Sequence, residues 1–317
     1  MKILFIADIH IKLNQKNVPI DWAKNRYKLF NDKISKLQES VDLVILGGDV
    51  FDKMPSMEEL EVYFTMLSIF TKDTFIISGN HESVKKNTTF LTSLKGATHA
   101  INNRVSIIDD YFSLDNIDFI PYNKIKDFVS QGKDFQGNVL VTHVRGEIPP
   151  HVKPEIPLEL LDRWEIVLAG DLHSYENSQR NILYPGSPMV TSFHRNPVDN
   201  GVIIFDSVSL THEWISLGLP QLLRKTINAG EGMPATEYHH TIYEVSGDLS
   251  ELGNVTNTAL LDKKISTRQT DVTLMLEPDM TMVQELKEYL EYILNLKPDN
   301  IEAAIKLFET LEPRIND

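Results

Sequence analysis

There is no cysteine anywhere in the chain. Disulfides, thiolate metal sites and cysteine nucleophiles are excluded, and the composition sits most easily with a reducing compartment. Long apolar runs are missing too. The opening Met1-Lys2-Ile3-Leu4-Phe5-Ile6-Ala7-Asp8 meets a charge too soon for a signal peptide or a membrane span, so a soluble cytoplasmic protein with no membrane contact is expected. Basic residues are scarce relative to acidic ones: 31 Lys and Arg against 45 Asp and Glu, a formal net charge of −14. That balance argues against a protein that grips nucleic acid by bulk electrostatics, although carboxylates gathered to hold divalent cations would account for part of it.

With 317 residues and 42% hydrophobic content, the chain can form one large domain and an appended smaller one. Short, β-branched apolar runs at Lys2 to Ala7, Leu43 to Leu46, Thr74 to Ser78, Val139 to Thr142 and Ile166 to Ala169 have the pattern of buried strands. Between the first three lie helical stripes, Tyr27, Phe30, Ile34 and Leu37, then Leu60, Tyr63, Phe64 and Leu67. This alternation predicts a layered α/β fold, extended by antiparallel strands over 104–121 and 181–215. A boundary is expected between residues 222 and 223, ahead of the Gly- and Pro-containing stretch 228–237. The remainder reads as a small α+β cap: strands at Thr241 to Val245 and Val272 to Leu276, a helix with the stripe Val283, Leu286, Leu290 and Ile293, and a second helix from Ile301 to Leu311 after Pro298-Asp299-Asn300.

Acidic and imidazole residues recur at the ends of these runs: Asp8-Ile9-His10, Gly48-Asp49-Val50-Phe51-Asp52, Gly79-Asn80-His81-Glu82, Thr142-His143 and Gly170-Asp171-Leu172-His173. In an open α/β sheet, chemistry collects at the carboxyl ends of strands, so distant segments can meet at one edge. Singly each motif is weak, since an Asp-x-His is more often a loop polar pair and a Gly-Asp is usually a turn. Their ordered combination, each beside a strand, points to a metal site. Carboxylate, imidazole and amide oxygen suit manganese, iron or zinc, and Asp49 could bridge two ions about 3.5 Å apart. Phosphodiester hydrolysis needs a nucleophile made from water, neutralised phosphoryl oxygens and a proton for the leaving oxygen; two metals supply the first two, and an unligated histidine, for which His81 is the candidate, supplies the third. Among the other histidines, His194 carries the most weight because Arg195 beside it could meet phosphate.

These blocks resemble the calcineurin-like metallophosphoesterases over roughly residues 1 to 175. The resemblance implies a sandwich of two mixed β-sheets flanked by helices. It implies that Asp8, His10 and His173 bind one metal, that Asn80, His143 and Asp171 bind the second, and that Asp49 bridges. His81 would protonate the leaving oxygen, and Asp52 would lie just outside the metal ligands near the phosphate. Where the family usually has the first histidine of Gly-His-x-His, this chain has Asp171, whose extra negative charge would favour manganese or magnesium.

Softer features resemble the SbcD-like branch of nucleases: the run from Asp52 into Pro55-Ser56 and an acidic helix, the block Tyr184-Pro185-Gly186-Ser187-Pro188, and the cap. The length suits a phage member, which would work in the host cytoplasm. The implied function is a two-metal DNA exonuclease, with endonuclease activity beside it, acting in DNA repair, recombination or replication. It would be the nuclease subunit of a complex with an SbcC-like ABC ATPase, as a homodimer within that complex. The ATPase would supply much of the DNA-binding surface, and the helices Thr281 to Leu296 and Ile301 to Leu311 are the expected contact, unless they simply pack within the cap. Two alternatives stand beside this: a stand-alone phosphoesterase for nucleotides or phosphoproteins, and a catalytically silent recruitment subunit in which Asp171 has disabled the second metal.

Overall fold

A computed structural model describes residues 1–85, 87–131, 134–266, 280–294 and 296–311. The strand expected over Val272 to Leu276 lies outside the described residues. The chain opens with β1 (Lys2–Ile6), α1 (Ile20–Leu37), β2 (Leu43–Gly47), α2 (Met57–Ser68) and β3 (Asp73–Ile77). A small hairpin, β4 (Ser83–Lys85) and β5 (Thr88–Thr89), leads into α3 (Leu91–Ile101) and β6 (Val105–Ile108). Then come β7 (Phe112–Leu114), β8 (Ile117–Ile120), α4 (Tyr122–Gln131), β9 (Val139–His143), β10 (Ile166–Gly170), β11 (Ile182–Leu183), β12 (Gly201–Asp206) and β13 (Thr211–Ser216).

These strands make two mixed sheets, of order β13-β12-β1-β2-β3-β6 and β11-β10-β9-β8-β7. Successive side chains of a strand face opposite ways, and β1 shows how both faces are used. Leu4 and Ile6 join Tyr27, Phe30 and Ile34 of α1 and Tyr63 and Leu67 of α2 in one apolar cluster. Ile3 and Phe5 join Phe119, Val139, Val141 and Leu168 of the second sheet in another. The outer face of the second sheet packs Leu140 and Val167 with Ile125 and Phe128 of α4 and with Trp164. Helix, sheet, sheet and helix thus stack as layers, and strands covered on both sides read as continuous apolar runs.

The later elements are β14 (Leu222–Asn228), β15 (His240–Gly247), α5 (Leu249–Gly253), β16 (Leu261–Ser266), α6 (Met282–Glu288), a π-helical turn Tyr289–Ile293 and α7 (Pro298–Leu311). Helix α7 starts at Pro298, earlier than expected, because proline needs no hydrogen-bonded N–H in a first turn. Two compact units are present. One comprises Met1–Ile227, Glu231–Val245 and Thr256–Lys263; the other comprises Asn228–Gly230, Ser246–Val255 and Lys264–Asp317. Where the sequence suggests one cut at 222/223, the chain returns to the first unit, since β15 buries Thr241, Ile242 and Tyr243. Among the described residues no helix is long and apolar enough to cross a membrane.

Candidate metal centre

Strands β1, β2 and β3 run parallel, as do β9 and β10, and the loops at their carboxyl ends meet. The loop after β1 is laced to the loop after β2 by Asp8 N–H to Gly48 O (3.0 Å), His10 N–H to Asp49 O (2.9 Å) and Ile11 N–H to Val50 O (2.8 Å). Asp8, His10, Asp49 and Asp171 hold φ of 56°, 47°, 49° and 103°. That left-handed conformation costs a residue with a Cβ roughly 1 kcal/mol, and such outliers gather at functional sites. The glycines before Asp49 and Asp171 make room for a ring. A Cβ on Gly48 would lie 2.5 Å from His143 Nδ1, and one on Gly170 would lie 2.6 Å from it.

The structure brings all seven expected ligands together. His10 Nε2 lies 3.1 Å from His173 Nε2 and 3.6 Å from Asp49 Oδ2. His173 Nε2 is 4.0 Å from Asp8 Oδ1. Across Asp49, His143 Nε2 is 3.5 Å from Asp49 Oδ2, 3.1 Å from Asn80 Oδ1 and 3.9 Å from Asp171 Oδ1. Among the described residues, three sets could each hold a cation: Asp8, His10 and His173; Asp8, Asp49 and His143; and His10, Asp49 and His81. His143 Nδ1 lies 2.9 Å from Gly47 O. A carbonyl only accepts, so Nδ1 is the donor and Nε2 faces the cluster.

Burial sets the electrostatics. It pushes the pKa of Asp8 well above the usual carboxylate range, against His143 and with Asp49. It lowers His10 to about 3 despite Asp49, and it lowers His173. At His143 burial opposes the charge, but Asp49, by charge and hydrogen bond, lifts the group to about 10. At Asp49 burial works upward, yet His143 and His10 carry the carboxyl below its ordinary value. Asp49 and His143 thus favour each other's charged forms, whereas burial favours the neutral form of His10.

These groups fit cations. The Asn80 amide lies 2.8 and 3.1 Å from the two Asp49 carboxylate oxygens, and which end it presents to them depends on whether a cation is there. A rotated amide would satisfy the site without a metal; with one, the oxygen is the group required. His10 turns Nε2 to the cluster, while its buried Nδ1 lies on the Asp52 side with no hydrogen-bond partner.

His81 stands at the edge, with Nδ1 2.6 Å from Asp52 O, Nε2 3.9 Å from Asp49 Oδ2 and its ring edge-on to His10. Asp52 pairs with Lys12 Nζ at 2.9 Å and lies 3.9 Å from His10 Nδ1, outside the proposed ligand set. His194 falls in none of the cation-holding groups; its Nε2 meets Ser192 Oγ at 3.3 Å.

Three residues had no role in the sequence reading, although Glu82 closes the block Gly79-Asn80-His81-Glu82. Glu82, fully buried, accepts the N–H groups of Asp49 (3.0 Å), Phe51 (2.9 Å) and Gly79 (2.7 Å), tying the loops after β2 and β3 together. Burial and Asp49 raise its pKa to about 7. Arg145 donates Nε to Asp171 Oδ2 at 3.0 Å, and Lys12 answers Asp52. Arg145 offsets the negative charge expected from Asp171, so the pair is neutral as histidine would be. A carboxylate standing where the family has imidazole was itself a signal to look for such a cation, and Arg145 lies two residues beyond His143.

The calcineurin-like phosphoesterase model matches residues 1–199. The chain is 40% identical over 316 residues to the probable exonuclease subunit 1 of Escherichia phage T5, covering 96% of this chain and 97% of that one. It is 26% identical over 223 residues to a protein of Invertebrate iridescent virus 6 named as a phosphoesterase, 244L, covering 64% of this chain and 75% of the relative. A third relative, from Invertebrate iridescent virus 3 and named likewise, is 25% identical over 300 residues, 82% and 80% of the two chains.

Proposed function

The chain belongs to the calcineurin-like phosphoesterase family, and on that premise we propose that it is a metal-dependent DNA exonuclease, with endonuclease activity beside it. It would act as the nuclease subunit of an SbcD-like complex with an SbcC-like ABC ATPase, in the cytoplasm of a phage-infected host. The family implies divalent metal ions, and manganese is our choice for a site rich in carboxylates. Residues 1–222 would carry the nuclease and 223–317 the cap, with 231–245 and 256–263 packed into the first unit.

Asp8, His10 and His173 would hold one ion, Asn80, His143 and Asp171 the other, and Asp49 both. Two such ions supply charge neutralisation at the phosphoryl oxygens and activation of water. The remaining work falls to the chain. Glu82 fixes the loops that carry Asp49 and Asn80. Lys12 and Arg145, each neutralised by a carboxylate, keep N–H donors near the cluster where a strand's phosphates would pass. His81 keeps the Nδ1 proton on Asp52 O and turns Nε2 inward; protonated there, it would hand a proton to the leaving oxygen.

The observation that carries the nuclease reading is the 40% identity, over nearly the whole of both chains, to a protein named as an exonuclease subunit. A subunit implies a partner. Met282 and Leu307, each 63% exposed, leave apolar surface on α6 and α7 where the ATPase would dock. The test is degradation of linear duplex DNA with manganese, with and without the candidate ATPase; no metal-dependent cleavage in either case refutes the reading. The hold of Arg145 on Asp171 favours one rival, a silent recruitment subunit that has lost its second ion. Two manganese ions per chain by elemental analysis exclude that rival, and one or none supports it.

A further inference from the structure

Beside the metal cluster lies a cavity of about 600 Å³, and His173 belongs to both. The volume falls within the ~300–1,000 Å³ of small-molecule sites. Two rings stand in its lining: Tyr175, from the turn after β10, and Trp214, from β13, stacked with centroids 5.5 Å apart and planes at 27°. Both are fixed. Trp214 Nε1 donates to Pro185 O at 2.9 Å, and the Tyr175 hydroxyl meets His212 Nε2 at 3.0 Å. Gly201 on the neighbouring strand leaves room for the indole, since a Cβ there would lie 2.5 Å from Trp214 Cζ2.

The charge of the lining decides what it can take. Glu176 and Asp199 contribute carboxylates, and among the described residues that line it there is no lysine or arginine. A phosphate would be repelled. A flat, uncharged, hydrogen-bonding ring would be accommodated by the aromatic pair and by polar groups such as Ser192 and His194. Stacking on aromatic side chains is how proteins hold the bases of single strands with little regard to sequence.

We propose that this cavity receives the base of a nucleotide next to the phosphate being cut, held against Tyr175 and Trp214 while its backbone crosses the metal cluster at His173. The inference rests on the nuclease reading and gives it a local site for a base in a chain whose net charge is −14. Such a site frays the strand end locally: a base lodged there is unstacked from its neighbours.

The experiment is cleavage, with manganese and the full chain, of oligonucleotides that carry a single abasic residue at successive positions from the end. On the intact strand the wild type should be faster than on the abasic strand at one position, on the order of 10-fold, as loss of one stacked base implies. Tyr175→Ala should bring that ratio close to one, and Tyr175→Phe, which keeps the ring, should preserve it. Because the ratio is taken within one protein, partial misfolding cancels. Equal rates on intact and abasic strands at every position, or a ratio that survives Tyr175→Ala, overturn the base site alone. No cleavage of any strand overturns the nuclease reading, and this one with it.

Discussion

Replacing His81 by alanine separates a proton donor from a metal ligand. In the structure its Nδ1 proton is committed to the carbonyl of Asp52 at 2.6 Å, and Nε2 reaches no closer than 3.9 Å to Asp49. Losing the imidazole removes one hydrogen bond at a half-exposed position, which costs about 1 kcal/mol of stability and leaves the fold intact. A general acid contributes roughly 10²–10⁴-fold to rate. The lower figure corresponds to about 2.7 kcal/mol of barrier. The loss should depend on the leaving group: large on DNA, whose alkoxide must be protonated, and small on a p-nitrophenyl phosphodiester, whose phenolate leaves unaided. The assay is kcat on both substrates with metal content measured alongside. Equal losses on the two, or loss of metal with the ring, would refute the assignment and make His81 a ligand.

Glu82→Gln should lower stability to urea by about 1–3 kcal/mol, because the amide would turn a donor toward the buried N–H of Phe51; an unchanged midpoint would show that Glu82 does not clamp the loops. Asp171→His frees Arg145 and restores the imidazole usual in the family, so activity should move from manganese and magnesium toward zinc or cobalt; an unchanged order of metals would count against contact between Asp171 and an ion. Manganese at 100 times its dissociation constant should stabilise the fold by about 2.7 kcal/mol, seen as a higher Tm that Asp49→Asn largely abolishes. A Tm indifferent to metal would mean that the cluster does not bind it.

The first-sheet strands were legible because they are covered on both faces: β1, β2 and β3 begin and end within about a residue of their apolar runs. Helices α3 and α4 were not. In α3 only Leu91 and Thr98 are buried, so no apolar stripe marks it. The expected helix from Thr281 to Leu296 is interrupted by the π-turn at Tyr289–Ile293, which shifts its register without altering its composition. At the candidate site, the aspartates and histidines were visible because each follows a strand. The roles of Lys12, Glu82 and Arg145 were not. Lys12 and Arg145 answer carboxylates distant in sequence, Asp52 and Asp171, and Glu82 stood in its block without a role because the N–H groups of Asp49 and Phe51 that it accepts lie more than thirty residues away.

Asp8, His10, Asp49 and Asp171 hold their left-handed backbone against their own preference, one that glycine would adopt freely. Glycine would relieve that conformation but would also strip the acceptors from the N–H groups of Asp171, held by Asp8 at 3.0 Å, and of His81, held by Asp49 at 2.9 Å. The same side chains that would grip cations thus also stitch the loops to one another, so a lineage that gave up cutting could not discard Asp8 and Asp49 without loosening the scaffold beneath them.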